Sequence, residues 1–111
     1  MSAPRPAYLV ASSLFAPEGV SLDEYENAAY PMFQAAGAEV IAIGDAGDFA
    51  GPDKVVRCLE GSWPKGASLT VFRFPSMDAL LKLWHSPEYQ AIKHLRTDVI
   101  PPQFTVAIDS Y

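Results

Sequence analysis

The chain has 111 residues, half of them hydrophobic and 19% charged, which suits one folded domain over 1–111 and excludes a disordered chain. Its 13 acidic and 8 basic residues give a formal net charge of -5 with no basic cluster, so nucleic acid is excluded as an expected partner. The single cysteine, Cys58, excludes an internal disulfide and makes a reducing cytoplasm the expected compartment.

From the start of the chain, Arg5-Pro6 leads into a strand-like stretch, so no secretory signal is expected. No apolar run approaches the ~20 residues of a membrane span. Ala7 to Leu14 alternates Tyr8, Val10, Ser12 and Leu14 with Ala7, Leu9, Ala11 and Ser13; neither set is strongly polar, so this strand is expected to be buried on both sides. After the turn Ala16-Pro17-Glu18-Gly19, Ser21-Leu22-Asp23-Glu24 reads as a capping box, with Val20 and Tyr25 spaced as a hydrophobic staple. Pro31 is expected to kink or divide the helix near Tyr30, and Gly37 to end it in a left-handed cap.

Glu39 to Ile43 forms a second strand, followed by turn chemistry from Gly44 to Asp53. Lys54 to Glu60 reads as a short strand or strand extension, and Gly61 to Gly66 as a loop. In the next strand, Ser68 to Phe74, Leu69, Val71 and Arg73 alternate with Thr70, Phe72 and Phe74. Ser76 caps an amphipathic helix carrying Leu80, Leu81 and Trp84, while Ser86 and Pro87 break the pattern and start another helix. Phe104 to Ile108 closes the sheet. The order β-α-β-β-α-β is the split βαβ, ferredoxin-like arrangement of an α+β domain.

Leu83-Trp84-His85-Ser86-Pro87-Glu88-Tyr89-Gln90, together with Glu60-Gly61-Ser62-Trp63-Pro64, Phe72-Arg73-Phe74-Pro75-Ser76, Leu95-Arg96 and the helical Tyr30-Pro31, resembles the family catalogued as domain of unknown function 1330. The resemblance spans about Ala7 to Ile108. It implies a ferredoxin-like subunit of the dimeric α/β-barrel superfamily, in which two four-stranded sheets close over one another. Members of that superfamily include ring cyclases, lactone isomerases, quinone-forming monooxygenases and proteins without assigned activity, so the fold does not select a reaction. A homodimer is expected on physical grounds as well, because helices on one sheet face leave the other apolar and uncovered.

Several chemistries lack their residues. His85 and His94 stand nine apart with no third histidine, so no metal site is expected. Gly44, Gly47 and Gly51 lie among aspartates without the lysine of a phosphate loop, and no Gly-x-Ser-x-Gly elbow occurs. No cofactor is expected. What remains is an apolar pocket with a few polar groups, suited to a small-molecule ligand.

Arg73, among apolar neighbours, requires either a carboxylate such as Glu39 or an anionic ligand. His85 reads either as a proton carrier near neutral pH or as a capping and surface residue. Tyr89 follows it by four, a spacing that brings them together if the break at Pro87 is mild. Arg96 matches an arginine of the resembled family and either binds an anion or pairs with Asp98, Glu88 or a helix end.

The resulting expectation is a cytoplasmic homodimer with cofactor-independent acid/base chemistry of the cyclase, isomerase or lyase type on a small carbonyl, lactone or aromatic compound. In it His85 carries the proton, Tyr89 donates a hydrogen bond, Arg73 or Arg96 stabilises an anion, Trp63 and Trp84 supply apolar walls, and Ser12 contacts the ligand from its strand. The alternative is a non-catalytic ligand-binding or assembly module in which the same residues complete the core.

Overall fold

The computed structural model describes residues 5–14, 21–45 and 53–111. Four strands, β1 (Ala7–Ser13), β2 (Glu39–Gly44), β3 (Leu69–Phe74) and β4 (Pro102–Asp109), form one antiparallel sheet in the order β2-β3-β1-β4. Helix α1 (Asp23–Ala35) connects β1 to β2; α2 (Met77–Trp84), α3 (Pro87–Ile92) and α4 (His94–Thr97) connect β3 to β4. This is the ferredoxin-like topology expected from the sequence, and β1 and β3 are its central strands.

Register fixes which side chains share a face. Ala7, Leu9 and Ala11 stand opposite Phe74, Phe72 and Thr70 of β3, and opposite Asp109, Ala107 and Thr105 of β4. These residues face the helices, where Ala7, Leu9, Ala29, Phe33, Phe74, Leu80 and Tyr89 form the buried core. Because successive strand residues alternate, Tyr8, Val10, Val71, Arg73, Val106 and Ile108 lie on the other face. No helix among the described residues packs against it. In β2 a bulge between Val40 and Ala42 leaves Ile41 exposed.

Helix α1 runs through Pro31 as one element, so of the two expected outcomes, a kink or a division, the division does not occur. The hydrogen bond that Pro31 forgoes would reach the carbonyl of Asn27, and both residues are on the exposed side, where that carbonyl is open to solvent and the loss is tolerated. The capping box does not form: Leu22 occupies the capping position, and Ser21 Oγ instead accepts from the Asp23 amide at 3.1 Å in a local turn. Val20, the other half of the expected staple, lies outside the described residues, as do Ala16 to Gly19. At the far end Gly37 adopts φ 81°. Its amide donates to Gln34 O and that of Ala38 to Phe33 O, both at 3.0 Å, which is a Schellman cap. A Cβ on Gly37 would also lie 2.7 Å from Pro75 Cγ, so both conformation and space demand glycine.

Residues 54–60 form no strand, which corrects the sequence reading. The segment is tied to the end of β2 by one backbone bond, Asp45 N to Lys54 O (2.8 Å), and by Val56 N donating to Asp45 Oδ2 (2.9 Å). A side-chain acceptor has replaced the second backbone partner, so no ladder propagates.

Between α2 and α3 the chain turns as Ser86 and Pro87 predict. Ser86 Oγ accepts from the Tyr89 amide (3.2 Å) and donates to Leu83 O (2.7 Å), which joins the end of one helix to the start of the next. Ser76 caps α2 in the expected way, accepting from the Ala79 amide at 3.1 Å.

Candidate functional site

A cavity of about 690 Å³ lies between the helix-covered sheet face and helices α1, α3 and α4, with Trp84 at the end of α2 contributing a wall. The volume is that of an ordinary small-molecule site, ~300–1,000 Å³. Leu9, Ala11, Ile43, Thr70 and Phe72 form its floor; Leu22, Ala29 and Phe33 line it from α1.

Its polar wall consists of Tyr25, Tyr89 and Arg96. The Ser86 cap starts α3 so that Tyr89, two residues into the helix, turns wholly inward. The Tyr89 hydroxyl lies 2.7 Å from that of Tyr25, and the two rings meet edge to face at 6.4 Å between centroids. Trp84 and Phe33 hold the Tyr89 ring from other sides, at 5.0 Å and 6.0 Å. Position is thus fixed by aromatic packing and by one hydrogen bond between hydroxyls.

Arg96, on the short helix α4, sits with its guanidinium 5.5 Å from the centre of the Tyr25 ring, within cation–π range. It is partly buried and makes no salt bridge with any carboxylate among the described residues. Burial pulls the guanidinium pKa down, but the neighbouring Tyr89 and Tyr25 hydroxyls outweigh this and leave it raised. Burial, and then proximity to Tyr89, pushes the Tyr25 phenol far above its ordinary range in spite of Arg96. Around neutral pH the wall therefore presents a neutral phenol at Tyr25 and a permanent cation at Arg96. Such a set can donate hydrogen bonds to an anionic or carbonyl oxygen.

Of the residues singled out by sequence, Trp84, Tyr89 and Arg96 meet in this cavity. The others lie elsewhere. Arg73 is on the opposite sheet face, paired across the strands with Glu39, its register partner, through hydrogen bonds to Glu39 Oε1. The carboxylate alternative is the one the structure contains, and alternation with the inward-facing Phe72 and Phe74 is the reason. Ser12 shares that parity; it is buried and accepts a hydrogen bond from Gln103 Nε2 at 3.2 Å, while its neighbour Ser13 reaches the cavity. Trp63 packs against Phe104 at 6.4 Å and donates from Nε1 to Ala67 O at 3.3 Å.

His85 is exposed at the C-terminal end of α2 and does not line the cavity. The four-residue spacing to Tyr89 does not bring the two to one site, because the helix in which that spacing has meaning ends at Trp84 and restarts at Pro87.

Two cavity residues escaped the sequence reading. The staple spacing with Val20 accounts for Tyr25 as packing, although it stands four before the buried Ala29 and eight before Phe33. Glu26 lies on the stripe Leu22–Glu26–Ala29–Tyr30–Phe33, all of which lines the cavity at helical spacing. A carboxylate on the apolar stripe of a helix was the available signal. Burial, with the nearby charge of Asp23, holds the Glu26 carboxyl above its ordinary pKa.

Among the described residues no group of three or more His, Cys, Asp or Glu side chains is arranged to hold a metal ion, and no helix is long and apolar enough to cross a membrane.

The same architecture occurs in solved structures. RPA0582, a protein of unknown function from Rhodopseudomonas palustris, matches with a TM-score of 0.65 and 14% identity over 96% of this chain and 83% of its own. Its methylated form matches with a TM-score of 0.57 and 12% identity over 97% and 82%. No curated protein matches the sequence. The likeness to RPA0582 is one of fold. Family membership rests on sequence: residues 6–107 match the domain of unknown function DUF1330, so almost the whole sheet and every residue of the cavity's polar wall fall within the match, and the chain belongs to that family.

Proposed function

We propose that this protein binds a small, largely apolar organic molecule through one carboxylate or carbonyl oxygen, seated against Tyr25, Tyr89 and Arg96, and that it performs cofactor-independent acid/base chemistry on it. The carrying observation is Arg96, a partly buried guanidinium on a cavity wall with no carboxylate partner among the described residues. An unmatched charge of this kind is costly to keep out of water unless a ligand supplies its counterpart. Trp84, Phe33 and Phe72 offer flat apolar walls for the rest of the ligand.

Calorimetric titration tests this reading with 3-phenylpropanoate, which joins a carboxylate to an apolar ring, and with its uncharged alcohol, 3-phenylpropanol. The acid should saturate one site per chain and bind at least about tenfold more tightly, ~1.4 kcal/mol. Equal affinities would remove the anion site.

The working form in this proposal is a homodimer closed through the open sheet face, where Val106 and Ile108 are exposed beside Tyr8, Val10 and Val71. A shared sheet face of this size can reach the ~1,200 Å² of a stable specific interface. The exposed Cys58 thiol fits a reducing compartment, the cytoplasm.

A further inference from the structure

The cavity holds a second unmatched charge. Glu26 lines it from the inward stripe of α1, one residue along from Tyr25, and its carboxylate makes no hydrogen bond or salt bridge with the described residues. The other acidic groups at the cavity have structural explanations: Asp23 starts α1, where the helix N-terminus favours negative charge, and Asp45 accepts the Val56 amide. Arg96 and Glu26 thus share one cavity without pairing with each other. An oxygen site and a free carboxylate facing one cavity are the groups needed to take a proton from carbon beside a carbonyl group.

We infer that Glu26 is the catalytic base of this cavity and that the substrate class is an enolisable carbonyl compound, with Tyr25 and Arg96 receiving the charge that develops on oxygen. The inference rests on the oxygen site proposed above. In the step, the Glu26 carboxylate removes a proton from the carbon adjacent to the carbonyl. The C–H electron pair becomes the carbon–carbon double bond, and the carbonyl π pair moves to oxygen, facing the Tyr25 hydroxyl and the Arg96 guanidinium. Glu26, now protonated, returns the proton to the same carbon, which gives exchange, or to a conjugated position, which gives an isomer. No oxidant or reductant enters. A carboxyl whose pKa is raised by burial and by the nearby charge of Asp23 is also a stronger base than one in water.

Phenylpyruvate is the probe, because its benzylic protons lie beside a ketone and it carries both a ring and a carboxylate. The intact chain in D2O should speed the loss of the benzylic proton signal above the buffer rate, and Glu26→Gln should slow that exchange about 10²-fold. The same variant should bind 3-phenylpropanoate at least as tightly as the parent, since a negative charge has left an anion-binding cavity. Exchange at the parent rate in Glu26→Gln, or no exchange by a parent protein that binds 3-phenylpropanoate, overturns the inference and leaves the oxygen site standing. Loss of binding together with exchange would make Glu26 part of the fold and overturn it too. Failure of the parent to bind either acid removes both readings.

Discussion

On the helix-covered side of the sheet, Ala7, Leu9 and Phe74 are almost wholly buried and the space left over is a cavity; on the other side, Val106 and Ile108 remain 51% and 61% exposed. Each side also carries an arginine. Arg73, on the open side, pairs with the Glu39 that faces it across the strands. Arg96, on the covered side, has two phenols beside it and no carboxylate among the described residues. The contrast separates two uses of similar chemistry: a matched surface pair contributes little, whereas the unmatched charge in the cavity is the group on which the proposed ligand site rests.

The open side gives the largest effect. If it is the interface between two copies, Ile108→Asp should convert a particle of about twice the 12.0 kDa chain mass into a monomer by light scattering, because a charge would be buried without a partner. A parent protein already monomeric at micromolar concentration would remove the interface. Next in size is Ser86→Ala, which loses the cap that aims Tyr89 into the cavity. Denaturation should show a loss of about 1 kcal/mol. An unchanged midpoint would mean that aromatic packing alone positions Tyr89.

The topology was legible because it depends on local signals: turn residues, the Ser76 and Ser86 caps, Gly37, and alternation in β1 and β3. What could not be read was which side of each strand the helices cover. Tyr8, Val10 and Ser12 look no less apolar as a set than Ala7, Leu9 and Ala11, so parity alone left Arg73 and Ser12 free to be assigned to the pocket. His85 was misled by its own helix break, which both made it conspicuous and turned it away from Tyr89. Tyr25 and Arg96 are 71 residues apart in sequence, a separation that only tertiary packing closes.

Smaller effects sharpen the contrast. Arg73→Met should leave the denaturation midpoint nearly unchanged, since both members of the pair are substantially exposed. A larger loss would show that the pair is sealed in solution, as an interface between copies would seal it.

Glu26→Gln should produce the smallest shift, and its sign depends on pH. The folded-state pKa of Glu26 is raised, so its contribution is favourable in acid, below the unfolded value, and is lost as pH rises through the folded value. Near neutral pH the variant should therefore melt slightly higher than the parent, by less than about 0.5 kcal/mol given the solvent on its exposed side, and the difference should vanish in acid. Thermal melts across that range measure it.

The most direct test compares the two arginines in one calorimetric titration with 3-phenylpropanoate. Arg96→Met should weaken binding at least about tenfold, ~1.4 kcal/mol, whereas Arg73→Met should leave the affinity at the parent value. Equal loss in both variants, or loss only in Arg73→Met, would contradict the assignment of the ligand site to the helix-covered cavity.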